Sequence, residues 1–333
     1  MKLVQFSTPR FGAIVLEEIS KKIKPSLLVC NPDKLSGRKK ILKICEAKKV
    51  ALKLQIEIFQ PESLKEKEVI EFLKKKNPDL FLVTSFGKII PKEVLEIPKF
   101  KTLGLHPSLL PELRGPSPIQ SAILEGKKIT GTTLFLLDEK MDHGPILSQK
   151  TLQLKGNETY LELEEKLAKL SAKLFLENFK DWIEGKITPL PQNETLATYC
   201  KKFKFEDGEI FPKKETASEI ERKIRALNPE PGTYIKISNS TPNHTRYGVA
   251  QNSRWFWAKS QIPKIIKILE VEIIKEKEIK DFSKKQTFFE FKKELAIKCK
   301  KDAILVKILQ KEGKKPMKSS EFLCGNKWIL EFQ

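Results

Sequence analysis

Two side chains in this sequence are placed to handle a proton at a reacting centre. His106 ends the apolar run Thr102–Leu105, and Pro107 behind it has no N–H to give a central strand. The histidine therefore stands at a strand end. Asp142 lies in Leu137–Pro145, a second strand-end loop downstream. In open parallel sheets the carboxyl ends of strands are where ligands bind and reacting groups gather. A lone histidine is more often a satisfied core residue. A histidine and a carboxylate on neighbouring strand ends make an acid–base pair, because the imidazole titrates near neutrality and the carboxylate favours its charged form. Between the two, Ser108-Leu109-Leu110-Pro111 sets adjacent leucines among turn-forming residues. Such a loop is either buried or faces a ligand as an apolar wall.

The flanking pattern shows what must hold these residues. Lys2–Phe6 reads as a strand, Thr8 as an N-cap with Pro9 at the first helical position, and Phe11, Val15 and Ile19 recur on the following helix. Ser26–Cys30 is a second strand, leading into Asn31-Pro32-Asp33 and the basic loop Ser36–Lys40. That loop lacks a G-x-G-x-x-G fingerprint, which counts against dinucleotide binding. A helix (about 40–49), a strand (about 54–58) and a helix (about 63–76) follow. Asp79–Ser85 is nearly continuously apolar, as a strand buried on both faces must be, and Phe86–Pro91 leaves it as a loop. Pro116–Leu124 reads as a helix, Ile129–Leu136 and Pro145–Leu154 as strands around the Asp142 loop. Asn157 is expected to cap a long helix carrying Leu163, Leu167, Leu170 and Leu174 and ending near Gly185. The alternation predicts a doubly wound, mostly parallel α/β domain over residues 1–186. Residues 187–205, punctuated by Pro189 and Pro191, read as a linker. In 206–333, Thr216 and Glu219 have capping-box spacing ahead of Ile220, Ile224 and Leu227, and Asn228-Pro229 ends that helix. Short segments rich in isoleucine, valine and phenylalanine then predict a small β-barrel or sandwich.

Composition bounds the function further. A chain of 333 residues has room for two domains, each with its own core. Its five cysteines show no C-x-x-C spacing, which argues for reduced thiols in the cytoplasm and against a zinc site. The opening MKLVQFS has no apolar core of a signal peptide, and nowhere do about 18 apolar residues run together, so neither secretion nor membrane spanning is expected. The net charge is +20, with +11 on residues 1–205 and +9 on 206–333. Lysine-rich composition alone accounts for it as well as a polyanion partner does, unless another feature calls for RNA.

The motifs converge on one family. Phe6-Ser7-Thr8-Pro9-Arg10-Phe11, Pro32-Asp33-Lys34-Leu35-Ser36-Gly37-Arg38, and Gly87-Lys88-Ile89-Ile90-Pro91 match its opening, P-D-x-x-x-G-R and G-x-I-L-P elements. H-x-S-L-L-P-x-x-R-G is intact from His106 to Gly115, and D-x-G-x-x-L runs from Asp142 to Leu147. Ile224–Pro229 with Pro231-Gly232, and Gly313–Met317 with Glu321-Phe322-Leu323, carry the match to the C-terminal part. The sequence resembles the methionyl-tRNA formyltransferase family over nearly its whole length. The S-L-L-P signature is shared with formyltransferases acting on other amines; the C-terminal matches single out the tRNA enzymes.

The resemblance implies transfer of a formyl group from 10-formyltetrahydrofolate to the α-amine of methionine on initiator tRNA, without a metal, by a cytoplasmic monomer. It makes His106 the group that stabilises a tetrahedral oxyanion and supplies or relays a proton, with Asp142 favouring the imidazolium. Ser108, Leu109, Leu110 and Pro111 match the folate-contacting loop; Phe86, Gly87, Lys88, Ile89 and Ile90, with Leu137–Met141, are weaker pterin-pocket candidates. Arg38, Lys39 and Lys40 match a loop that reaches the tRNA acceptor end, here at least one residue shorter than the family's G-R-G-x-K. One departure touches the chemistry: where the family has asparagine two residues before the histidine, this chain has Gly104. Losing one such oxyanion donor costs roughly 10²–10³ in rate. Three other readings stand beside the leading one. Gly104 favours a degenerate, non-catalytic folate- or tRNA-binding member, against which both His106 and Asp142 are retained. A formyltransferase for an amino sugar or another small amine lacks an explanation for the basic C-terminal part. A nicotinamide-dependent oxidoreductase rests on fold alone.

Overall fold

The computed structural model describes residues 1–36, 41–237 and 264–331. The chain divides into two compact units, Met1–Lys202 and Phe203–Gln333.

The first unit is built on strands buried on both faces. β1 (Leu3–Ser7) alternates sides: Val4 and Phe6 join Leu27, Val29, Phe81 and Leu73 in one core, while Gln5 faces the other way and donates from Nε2 to Gly12 O. In β2 (Leu27–Val29), Leu28 packs with Ala13, Leu16, Ala47 and Ala51 on that second face. Period-two alternation with apolar residues on both sides is what a central strand between two helical layers requires. Helix α1 (Arg10–Ser20) follows β1. β3 (Lys34–Ser36) pairs antiparallel with β4 (Ile41–Lys43), and helix α2 (Glu46–Lys53) starts only after Cys45. The helix expected from about residue 40 therefore begins later, because pairing with 34–36 takes 41–43 first. β5 (Glu57–Phe59), helix α3 (Lys67–Lys75), β6 (Leu80–Thr84), the short helix α4 (Lys92–Leu95) and β7 (Thr102–His106) complete the parallel part. Helix α5 (Pro118–Leu124), the antiparallel strands β8 (Ile129–Leu136) and β9 (Ile146–Gln153), and helix α6 (Tyr160–Ile183) finish it. The sheet order is β5-β2-β1-β6-β7-β8-β9, parallel through β7 and antiparallel beyond.

Two caps differ from expectation. Thr8 does not cap α1; its hydroxyl accepts from Asn31 N–H at 3.2 Å and donates to Phe86 O at 3.5 Å, tying three strand ends together. Helix α6 is capped by Thr159, reciprocally with Glu162, and not by Asn157. The intervening turn is held instead by Glu158, whose carboxylate accepts from Lys155 N–H and Gly156 N–H.

The stretch read as a linker is laid onto this unit. Leu190 pairs with Ile146, Thr198 N–H donates to Pro111 O, and Arg114 exchanges backbone bonds with Thr198 and Cys200.

The second unit opens with helix α7 (Ala217–Leu227), capped by the Thr216–Glu219 box and stopped at Asn228-Pro229. Strands β10 (Tyr234–Ile237), β11 (Lys264–Ile274), β12 (Phe288–Phe291), β13 (Glu294–Lys298) and β14 (Ala303–Lys311) form an antiparallel sheet in the order β10-β11-β14-β13-β12, with β15 (Met317–Lys318) on β14. Irregular register in β11 near Ile268–Val271 bends the strand. The barrel-like domain is thus a curled antiparallel sheet among the described residues. Ile220 and Ile224 of α7 and Phe322 and Leu323 of helix α8 (Ser319–Gly325) close its core over Ile266, Ile268, Ile304 and Val306. Among the described residues no helix is long and apolar enough to cross a membrane.

Candidate active site

His106 ends β7, 6% exposed, opposite Thr133 of β8. Its Nε2 is 2.9 Å from Leu113 O, so this nitrogen carries a proton and donates it to the carbonyl. Nδ1 faces Asp142 Oδ2 at 3.7 Å. The carboxylate is fixed independently, its Oδ2 accepting from Gly115 N–H at 2.8 Å. Histidine and carboxylate thus meet even though β8 runs antiparallel to β7: Leu136, where the Asp142 loop begins, lies opposite Leu103, and the loop brings Asp142 back to His106.

The 107–115 loop answers the question its leucines raised. Leu110 is buried in protein; its N–H donates to Thr133 Oγ1 at 3.0 Å and its carbonyl accepts from Gln149 Nε2 at 2.8 Å. Thr133 Oγ1 in turn donates to Ser108 O at 2.7 Å, so one β8 hydroxyl pins the loop at two points. Ser108 is buried too and bonds within the loop, to Glu112 O at 2.6 Å. Leu109 lies over Gly131, where any Cβ would come 2.5 Å from Leu109 Cδ2. Leu109 and Pro111 remain half-buried and are the loop's free apolar surface. A cavity of about 450 Å³ borders Leu109–Glu112, Glu125, Lys127, Leu196 and Thr198, and neither His106 nor Asp142 lines it.

Of the weaker pocket candidates, Phe86 and Ile90 point into the first unit's core, Phe86 edge-on to Phe6 at 5.4 Å. Lys88 is turned away to Glu62 O at 2.7 Å. What this segment offers a ligand is Ile89, 84% exposed, and the backbone of Gly87. Arg38, Lys39 and Lys40 lie outside the described residues, as does the stretch 238–260 with Tyr247, Trp255 and Trp257. Among the described residues no group of three or more His, Cys, Asp or Glu side chains could hold a metal. All five cysteines are free.

Gly104 leaves no vacant space. A Cβ there would stand 2.3 Å from Leu137 Cδ1 and 2.5 Å from Phe135 Cε1, its cross-strand partner on β8. Two apolar side chains therefore fill the place where the resemblance would put an asparagine side chain.

Sequence reasoning missed the second set of residues around the pair. Arg114 is fully buried and binds Glu194 through two bonds of 2.7 and 2.9 Å, Gln192 Oε1 through two more, and Tyr199 Oη at 3.1 Å. Hydrogen bonds to Glu194 push the guanidinium pKa up, and those from Arg114 hold the Glu194 carboxyl below the usual range. His143, next to Asp142, has Nδ1 2.6 Å from Asp138 Oδ2 and Nε2 3.6 Å from Glu194 Oε1. The R-G at the end of the loop signature was the one available signal for Arg114. Its partners sit about 80 residues away in a proline-punctuated stretch that carries no periodicity.

With this geometry in place, comparison with known proteins is informative. Residues 1–179 match the family described as Formyl transferase, and residues 202–327 match Formyl transferase, C-terminal domain. The Methionyl-tRNA formyltransferase of Thermodesulfovibrio yellowstonii is 35% identical over 326 residues, 98% of this chain and 96% of that protein. The one from Caldicellulosiruptor saccharolyticus is 34% identical over 330 residues, 98% of this chain and 97% of that protein. Among solved structures, WlaRD, a sugar 3N-formyl transferase crystallised with dTDP and 5-N-formyl-THF, superposes with a TM-score of 0.60 at 20% identity, covering 95% of this chain and 99% of that one. HypX from Aquifex aeolicus, in complex with tetrahydrofolic acid, gives 0.61 at 17% identity over 97% of this chain and 47% of its own. The structural likenesses establish the fold. The relatives do not favour the non-catalytic reading that Gly104 invites. From the near-complete alignment with enzymes of that name and the matches to both formyl transferase descriptions, the chain belongs to the methionyl-tRNA formyltransferase family of formyl-transferring enzymes.

Proposed function

We propose that this chain formylates the α-amine of methionine charged on initiator tRNA, using 10-formyltetrahydrofolate, with His106 and Asp142 as its acid–base pair. The observation that carries the reading is the 3.7 Å approach of His106 Nδ1 to Asp142 Oδ2. Nε2 is committed to Leu113 O, so the neutral ring has only Nδ1 free to accept a proton. The separation from Asp142 exceeds a hydrogen bond, which leaves that nitrogen open to a substrate amine while the carboxylate stabilises the imidazolium that results. As negative charge develops on the formyl oxygen, the charged ring is its counter-ion. The same proton then goes to the leaving nitrogen. The folate supplies the activated formyl group. Ile89, Leu109 and Pro111 offer apolar surface at the strand ends that fits its flat ring system.

The charge of +20, spread over both halves, suits a polyanionic substrate, and the relatives' name supplies the second reason for RNA that composition alone lacked. The reading implies a cytoplasmic setting, activity as a monomer, and Arg38, Lys39 and Lys40 at the tRNA. The division into catalytic domain, linker and tRNA-binding domain at 1–186, 187–205 and 206–333 belongs to the same proposal. The test is His106→Ala, expected to lose at least about 100-fold in formyl transfer while remaining folded, with Asp142→Asn losing a comparable amount. Near wild-type turnover by His106→Ala would sink the mechanism.

A further inference from the structure

We infer that Gln192 is a positioning residue for the reaction: it holds the backbone on both sides of His143 so that the Asp142 carboxylate stays at His106. This rests on reading His106 and Asp142 as the acid–base pair, and goes beyond it to a residue outside either strand-end loop.

Asp142 has φ +51°, the left-handed region, which is uncommon for a residue with a side chain. Such backbone persists where its surroundings hold it. Gln192 Nε2 donates to Asp142 O at 2.9 Å and to Gly144 O at 2.8 Å, so both of its N–H bonds close on this one turn. Its Oε1 accepts from Arg114 Nε at 3.1 Å and Arg114 Nη2 at 2.8 Å. The amide orientation is chemically determined, since a flip would set its oxygen against two carbonyls and its nitrogen against a guanidinium. From the other side, Leu136 N–H donates to Pro145 O at 2.9 Å and ties the turn to β8.

The result is a closed circuit. Arg114 is fully buried and holds Gln192 with its guanidinium, while the next backbone N–H in the chain, that of Gly115, holds the Asp142 carboxylate. Gln192 then fixes the Asp142 main chain. The carboxylate is thereby held at two places, by its Oδ2 and by its own peptide. Leu113, whose carbonyl fixes the His106 tautomer, precedes Arg114 and donates its N–H to Thr198 Oγ1 at 2.8 Å. One segment, 192–198, therefore sets the position of both members of the pair. Displacement of a reacting group by about 1 Å costs on the order of 10²-fold in rate, so a residue that only positions can have a large effect.

The experiment uses the full chain and two variants. Gln192→Met removes all four bonds; Gln192→Glu keeps the acceptor for Arg114 and loses the two donors, so it guards against a Gln192→Met that does not fold. In each folded variant kcat should fall about 10-fold or more while KM for the folate and for the tRNA stays within about threefold. A purely structural residue would lower the unfolding midpoint without this separation of kcat from KM. A folded variant with kcat unchanged overturns the inference. His106→Ala separates the two failures. If it loses activity and the Gln192 variants do not, only the positioning role is wrong; if it keeps activity, the acid–base reading itself is wrong.

Discussion

On the proposed mechanism, the residue at position 104 decides how much oxyanion stabilisation the site can have. Gly104 and His106 point to the same face of β7, two residues apart, and Phe135 and Leu137 cover that face at Gly104. Adding a side chain means displacing them. Leu137 is half-buried and presents a flexible tip, whereas Phe135 is buried. Gly104→Asn alone is therefore expected to destabilise by about 1–3 kcal/mol through overpacking, with no gain in kcat. With Phe135→Leu beside it, the amide has room, and kcat should rise by about 10-fold or more because the donor acts on charge that develops only in the transition state. A folded, folate-binding double variant with unchanged kcat would mean that the missing amide does not limit the rate. The place of His106 at a strand end was legible from the sequence because Pro107 marks that end, and the place of Asp142 because its loop lies between two strands. That Gly104 is packed rather than hollow was not legible, since Phe135 meets it only through the β7–β8 register.

The elements divide into those whose own sequence determines them and those that another element overrules. Asp79–Ser85 announces β6 because every side chain must suit a buried position on one face or the other. The Thr216 box announces α7 because both partners of the cap lie within one turn. By contrast, Thr8 is drawn from a cap to Asn31 and Phe86, residues of two other strand ends, and 41–43 is drawn into a hairpin. The segment 192–199 is the largest such case, since its order comes from Arg114 rather than from any pattern of its own. Its attachment has a pH signature. Arg114 holds the Glu194 pKa below that of the unfolded chain, so the stabilisation is present above the ordinary glutamate range, about 4.3, and is lost as pH falls through the lowered value. Glu194→Gln should lower the unfolding midpoint at pH 7, and the gap from wild type should close as the pH is taken below about 4. A gap that stays constant from pH 7 to pH 3 would show that the ion pair is not what secures the segment.

Across the whole molecule, one unit brings His106, at the carboxyl end of β7, against Asp142 of the β8–β9 loop, and the other is an antiparallel unit carrying a net charge of +9 over residues 206–333. If that charge meets tRNA, affinity falls steeply with salt, and replacing the exposed Lys314 and Lys315 by alanine should reduce the slope of log K against log[salt] by about 1 to 2. A slope unchanged by these and by further lysine replacements would leave composition as the source of the charge. The most direct measurement is formyl transfer from 10-formyltetrahydrofolate to three acceptors in parallel: methionine-charged initiator tRNA, the same tRNA uncharged, and an amino sugar. Formylmethionyl-tRNA as the product, with neither of the other two acceptors formylated, is the predicted result. Formylation of the amino sugar with the charged tRNA left untouched would contradict it.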